Sequence, residues 1–157
     1  MKKVVLVLSL LWVSSYVVAQ KGDEFQKQAE IIGKGLIEAI KENRYASIEK
    51  FLVTEPVVYK ILSQRSEVVS ADSVKKTNIF IRTNFRNKLV ETIDTYKKAG
   101  IEKDITFNKV KLAETGKKPG LFYSLFINYI GKDGKKEEAR LRLVKEEDKF
   151  YVVSFDK

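Results

Sequence analysis

The chain has 157 residues, with 30 Lys and Arg against 21 Asp and Glu, and it contains neither Cys nor His. That length fits one ordinary domain. The missing cysteines exclude disulfides and thiolate chemistry, and the missing histidines remove the usual near-neutral acid–base group and the commonest metal ligand.

Lys2 and Lys3 open the chain as a short basic segment, and Val4–Val13 follows, apolar except for Ser9. Val17-Val18-Ala19 then offers a V-x-A cleavage site. This order is the secretory signal pattern. A spanning helix needs roughly 20 apolar residues, but the chain turns polar at Gln20-Lys21-Gly22-Asp23-Glu24. Residues 1–19 are therefore read as a cleaved signal and 20–157 as a single α+β domain. The expected location is periplasmic or secreted in a Gram-negative envelope, with no stable membrane span after cleavage. Without Cys, the new N-terminus cannot be lipidated. Protein from the envelope fraction is expected to begin at Gln20 by intact mass; a mature form in the membrane still carrying Met1 would contradict this.

The signal holds two of the lysines and no acid, so the remainder stays basic. The positive charges are spread rather than clustered, which reads as a solvated lysine surface. Export leaves nucleic acid out as a partner.

Asp23 is placed to cap a helix in which Phe25, Ala29, Ile32, Leu36 and Ile40 form one apolar face. Gly33 and Gly35 interrupt it at about 1 kcal/mol each relative to Ala, but permit close packing. A second short helical segment carries Tyr45, Ile48 and Leu52. Thr54-Glu55-Pro56 is a good helix start, while Val57-Val58-Tyr59 favours strand; helix is the expectation over 54–64. Ser66–Ser73 is a polar connection. A longer helix is expected from about Ser73 to Ala99, with Ile81, Phe85, Leu89, Ile93 and Tyr96 on its apolar face. Gly100 and Ile101 are placed to close it.

Beyond Gly100 the period changes. Ile105, Phe107, Val110 and Leu112 alternate with a parity change near Lys109 that suggests a bulge. Gly116–Gly120 is a loop, and Leu121–Ile130 is apolar enough for a central strand covered on both sides. Lys132-Asp133-Gly134-Lys135 is a hairpin turn. Glu138–Lys145 and Phe150–Phe155 supply the last two strands, joined by a turn over Glu146–Lys149. Sequential strands with short connections make an antiparallel meander.

Amphipathic helices followed by four strands bury both apolar faces when the sheet curls around a helix. This order resembles the cystatin-like architecture and, within it, the NTF2-like superfamily. The similarity lies in Ile37–Phe51, which looks like the opening helix–turn–helix, and in Lys132-Asp133-Gly134-Lys135 and Asp148–Val153, which look like the closing hairpins. The chain also resembles small exported proteins of Bacteroidota with the same layout, in which a long helix ends near a Gly-Ile pair. The resemblance implies N-terminal helices packed on a curved four-stranded antiparallel β-meander. It departs from the common opening order if 57–62 are helical, because many members place a strand there. Such domains host enzymes, ligand binders and dimerisation modules alike, so the fold does not select a function.

An enzyme of isomerase or dehydratase type on this fold needs a buried carboxylate base and a donor for the developing oxyanion. Asp72, Asp94 and Asp104 are available acids, but they read as a helix start, a solvent-facing helix residue and a turn residue. No Ser lies in a G-x-S-x-G turn and no phosphate loop is present. Glu137-Glu138 and Glu146-Glu147-Asp148 flank lysine-rich hairpin ends and read as solvated turns rather than a cation site. No catalytic residue, metal ligand or cofactor is assigned.

The sheet offers the candidate surface. With a two-residue Asp133-Gly134 loop, Tyr129 opposes Glu138, Ile127 opposes Arg140 and Leu125 opposes Arg142, and Phe122, Phe126 and Ile130 are core. With a bulged loop the register moves by one: Tyr123, Leu125, Ile127 and Tyr129 become core, and Ser124, Phe126 and Asn128 share a face with the arginines. In both cases Arg140 and Arg142 lie beside large apolar side chains, either as stems packed over a half-exposed sheet or as an interface centre. Tyr123, Tyr129, Arg140 and Arg142 are therefore the candidate binding residues. The expected function is an exported, non-enzymatic binding module, taking a protein partner or second copy through the sheet face, or a small apolar ligand. The alternatives are an enzyme with a cavity carboxylate and a purely structural envelope component.

Overall fold

A computed structural model of the protein describes the backbone of residues 2–64, 68–101, 104–116, 120–131 and 134–156, and side chains from Gly22 onward. Lys132, Asp133, Pro119 and the centre of the 64–70 connection lie outside the described residues, as do the side chains of the expected signal.

Helix α1 spans Lys2–Glu42, and the segment read as a signal is continuous with it. Its expected apolar face is buried at Ala29, Ile32, Leu36 and Ile40, and Phe25 meets Phe150 edge-on at 5.5 Å. Asn43 ends the helix at φ 52, and Arg44 N–H donates back to the Ala39 carbonyl at 3.1 Å. Asn tolerates this left-handed position better than most residues. A Cβ on Gly33 would come within 2.7 Å of Val110 Cγ1, and one on Gly35 within 2.9 Å of the Ser47 carbonyl oxygen. These two glycines thus let the chain at Val110 and at Ser47 approach α1, which offsets their poor helix propensity.

Helix α2 is one turn, Ala46–Glu49. Leu52 then forms a parallel bridge with Val152, so the outer edge of the last strand is partly paired. Residues Glu55–Ser63 form α3, with the proline in its first turn; Val57 and Val58 are buried. Burial of that pair on one helical face overrides the β-propensity of Val-Val-Tyr.

Helix α4 spans Ala71–Ala99. It starts two residues earlier than the sequence suggests, because Ser70 rather than a later residue caps it: Ser70 Oγ accepts from Ser73 N–H at 3.1 Å. At its end Gly100 adopts φ 66, its N–H donating to Lys97 O at 2.9 Å, while Ile101 N–H donates to Tyr96 O at 3.1 Å. That pair of bonds is the Schellman closure.

Strands β1 (Thr106–Thr115), β2 (Phe122–Ile130), β3 (Lys136–Glu146) and β4 (Lys149–Asp156) form one antiparallel sheet in sequential order. The expected bulge falls between Phe107 and Lys109. A second register shift, not evident in the sequence, lies between Arg142 and Leu143 and leaves Val153 unpaired on β4. Of the two hairpin registers, the bulged one is found: Phe126 pairs with Arg140 and Ser124 with Arg142. Gly134 at φ 68 and the Gly131 N–H to Lys135 O bond at 3.0 Å close that hairpin.

The register sends Leu125, Ile127, Tyr129, Leu141 and Phe155 to one face, where α1 and the C-terminal half of α4 form the main core. On the other face a smaller cluster joins Val53, Val57, Val58 and Val74 to Val144, with Phe122, Tyr151 and Val153 at its margin. One helix thus serves both faces: Val74 and Ile81 of α4 pack on the second cluster, and Phe85, Leu89, Ile93 and Tyr96 on the first. The cover expected on both sides of the Leu121–Ile130 strand is supplied on this second face by α3 and the start of α4, over one end of it.

Candidate functional site

The partial cover on the second face leaves a cleft of about 960 Å³. Its helical wall is Ile61, Gln64, Phe80 and Ile81, and its sheet wall includes Phe122, Arg140, Arg142, Val153 and Ser154. Phe80 is 65% exposed on the helical side of this cleft. It points outward because the neighbouring Ile81 takes the packed position on α4.

The two arginines sit differently. Arg140 donates from Nε and Nη2 to Ser124 Oγ at 3.2 and 2.8 Å, and its guanidinium stacks 5.5 Å from the Phe126 ring centre. Ser124 is fully buried beneath it. Among the described residues no carboxylate pairs with Arg140. Arg142 donates from Nε to Asp156 Oδ2 at 3.1 Å, and Lys88 lies 3.6 Å from the other oxygen of that carboxylate. Across the strands, Ser124, Arg142 and Ser154 form one row on this face. The Ser154 hydroxyl oxygen is buried without a hydrogen-bond partner.

Of the four residues singled out from sequence, Tyr123, Arg140 and Arg142 line this cleft and Tyr129 does not. Tyr123 also packs on the main core, 5.0 Å edge-on to Phe150, and burial pushes its hydroxyl pKa up. Tyr129 is buried on the opposite face, where it belongs to a different arrangement.

That arrangement is a polar node within the main core. The Tyr129 hydroxyl donates to Glu137 Oε2 at 2.9 Å, the Tyr96 hydroxyl donates to the same oxygen at 3.0 Å, and the two phenols are in contact with each other. Tyr129 and Glu137 are brought together because they are direct cross-strand partners. Tyr96 arrives from the last turn of α4. Burial pushes the Tyr96 hydroxyl up to about 12, the Tyr129 bond opposing and the Glu137 bond adding to it; burial and both bonds push Tyr129 higher still. Glu137 is thus corrected from a solvated turn residue to a half-buried acceptor. Its neighbours Lys136 and Glu138 hid it, since alternation alone does not show that a tyrosine from a distant helix will meet it.

A carboxylate between two phenols has the groups of a general base with donors. None of the five clefts described along the surface is lined by Tyr96, Tyr129 or Glu137, however. The two phenols and Glu137 Oε2 bond to one another and tie α4 to the β2–β3 hairpin. Asp72, Asp94 and Asp104, the acids weighed from sequence, are all exposed. Among the described residues no group of acids has the geometry to hold a metal ion, and no helix is long and apolar enough to cross a membrane. Comparison with known protein families, curated proteins and solved structures gives no match to this chain.

Proposed function

We propose that the chain is an exported, non-enzymatic binding module of the cell envelope, and that it engages its partner through the cleft between α3–α4 and the Arg140–Arg142 face. The observation that carries this reading is the joining of an exposed Phe80 to the Arg140 guanidinium, which no carboxylate among the described residues pairs. Buried or half-buried cations are ordinarily paired, and exposed aromatic–Arg combinations are enriched at the centres of interfaces. The volume also lies within the roughly 300–1,000 Å³ typical of ligand sites. The export reading rests on the basic and apolar order of residues 2–19.

Arg140→Glu with Arg142→Glu tests the reading, because neither side chain is part of either apolar cluster. Native mass spectrometry and sedimentation of protein purified from its own envelope would compare the two forms. Wild type is expected to carry added mass, whether a ligand, a partner or a second copy, and the double variant to lose it while keeping its circular dichroism. A bare monomer in both forms would contradict the proposal.

A further inference from the structure

We infer that the occupant of this cleft is a single-chain anionic amphiphile, with a carboxylate head at Arg140 and Arg142 and an aliphatic tail against Ile61, Phe80, Ile81 and Phe122. The inference rests on the binding-module reading and names its ligand class.

The charge at the head end is countable. Arg140 contributes a cation whose described partners, Ser124 and the Phe126 ring, are neutral. The Arg142 cation shares the single Asp156 carboxylate with Lys88. Positive charge is therefore in excess at the head end, which favours an anionic head. Ser124 uses its oxygen as acceptor for Arg140, holding the guanidinium in place before any ligand arrives. Preorganisation of this kind reduces the ordering cost of binding. The planar guanidinium retains further N–H donors in a fork that matches a carboxylate. Ser154, one strand away in the same row as Arg142, adds a hydroxyl that lacks a partner and lines the cleft.

The tail end is set by the opposite wall. Ile61, Phe80 and Ile81 belong to α3 and α4, and Phe122 faces them from β2. Phe80 at 65% exposure would lose water contact under an alkyl chain. Burial of apolar surface at roughly 25 cal/mol per Å² drives such contact, while the guanidinium supplies orientation. A peptide would need additional hydrogen-bonding groups along the apolar wall. Along the helical wall the described side chains offer Gln64, which already has an interaction of its own, and the hydroxyls of Thr115 and Tyr123 lie at the sheet side.

Titration calorimetry of the purified protein with dodecanoate, dodecanol and dodecyltrimethylammonium, each below its aggregation concentration, tests this without any variant. Dodecanoate is expected to bind about tenfold or more tightly than dodecanol, the usual worth of a charge-assisted contact, and the cationic chain most weakly. Arg140→Met should reduce dodecanoate to the level of dodecanol and leave dodecanol unchanged. Phe80→Ala, at an exposed position, should weaken both by a similar factor. Equal affinity for the three chains, no binding of dodecanoate, or full retention by Arg140→Met would each overturn the assignment. If dodecanoate fails while envelope-purified wild type still carries a protein through the arginines, the amphiphile is wrong and the binding-module reading stands. If the arginines retain nothing, both fail.

Discussion

Phe85→Ala is expected to destabilise the domain by about 3–5 kcal/mol, a large share of the roughly 5–15 kcal/mol typical of a native domain. Phe85 is 1% exposed and lies 5.9 Å, ring centre to ring centre, from Phe155 of β4. It occupies the stretch of α4 between the residues that serve the second sheet face, Val74 and Ile81, and those that serve the main core, Leu89, Ile93 and Tyr96. Removing the ring deletes its burial and leaves a cavity that the flanking helix and strand cannot close without shifting. Because Phe80 and Ile81 lie one turn away on the same helix, the loss should also loosen the cleft wall. Chemical denaturation followed by circular dichroism measures the change. A loss below about 1 kcal/mol, the ordinary range for a surface substitution, would mean that α4 is not anchored at this point.

Tyr129→Phe is expected to cost about 1.5–3 kcal/mol, the range for a hydrogen bond to a charged group. The variant keeps the ring and its edge-on contact with Tyr96 at 6.4 Å but removes the donor to Glu137. Tyr96→Phe should cost a similar amount, because each phenol donates to the same Glu137 oxygen. The same node gives the protein a pH dependence of known sign. The ordinary value of the phenol is 10.0, and burial, the main cause, pushes Tyr96 up to about 12 in the folded state. The folded form therefore favours the protonated phenol. Its contribution is complete below pH 10 and declines as the pH rises through about 12. Denaturation midpoints across this window should fall more steeply for wild type than for Tyr96→Phe. Parallel profiles would show that the phenols titrate alike in the folded and unfolded chain.

What the sequence makes legible here is what short-range physics determines. Gly100-Ile101 after two lysines marks a helix end because a left-handed residue and an apolar one close the last carbonyls locally. The parity change around Lys109 marks a bulge because side-chain direction alternates strictly along a strand. Even the proper face of Arg140 and Arg142 was one of two readings, separated by a single residue of loop geometry at Gly131–Lys135. The unreadable features all depend on distant chain. Glu137 acquires its role only when Tyr96 arrives from α4. The cleft exists only because α4 serves both faces of the sheet, which no local pattern encodes in a helix with one apolar stripe. Leu52 pairs with Val152, and Gln28 donates to the Asp148 carbonyl at 2.7 Å; both contacts cross about a hundred residues of sequence. Tyr129 lies on the arginine face in one register and in the core in the other, and its burial follows from the register that the hairpin selects.

The most direct measurement of the binding site is photo-crosslinking in intact cells from benzoylphenylalanine at position 80, with position 31 as control. Ile31 is also exposed, at 54%, but it does not line the cleft. Adducts are predicted from position 80, absent from position 31, and lost from position 80 when Arg140 and Arg142 are both changed to Glu. Adducts from position 31 alone, or adducts from position 80 that persist without the arginines, would contradict the cleft as the site at which this domain binds.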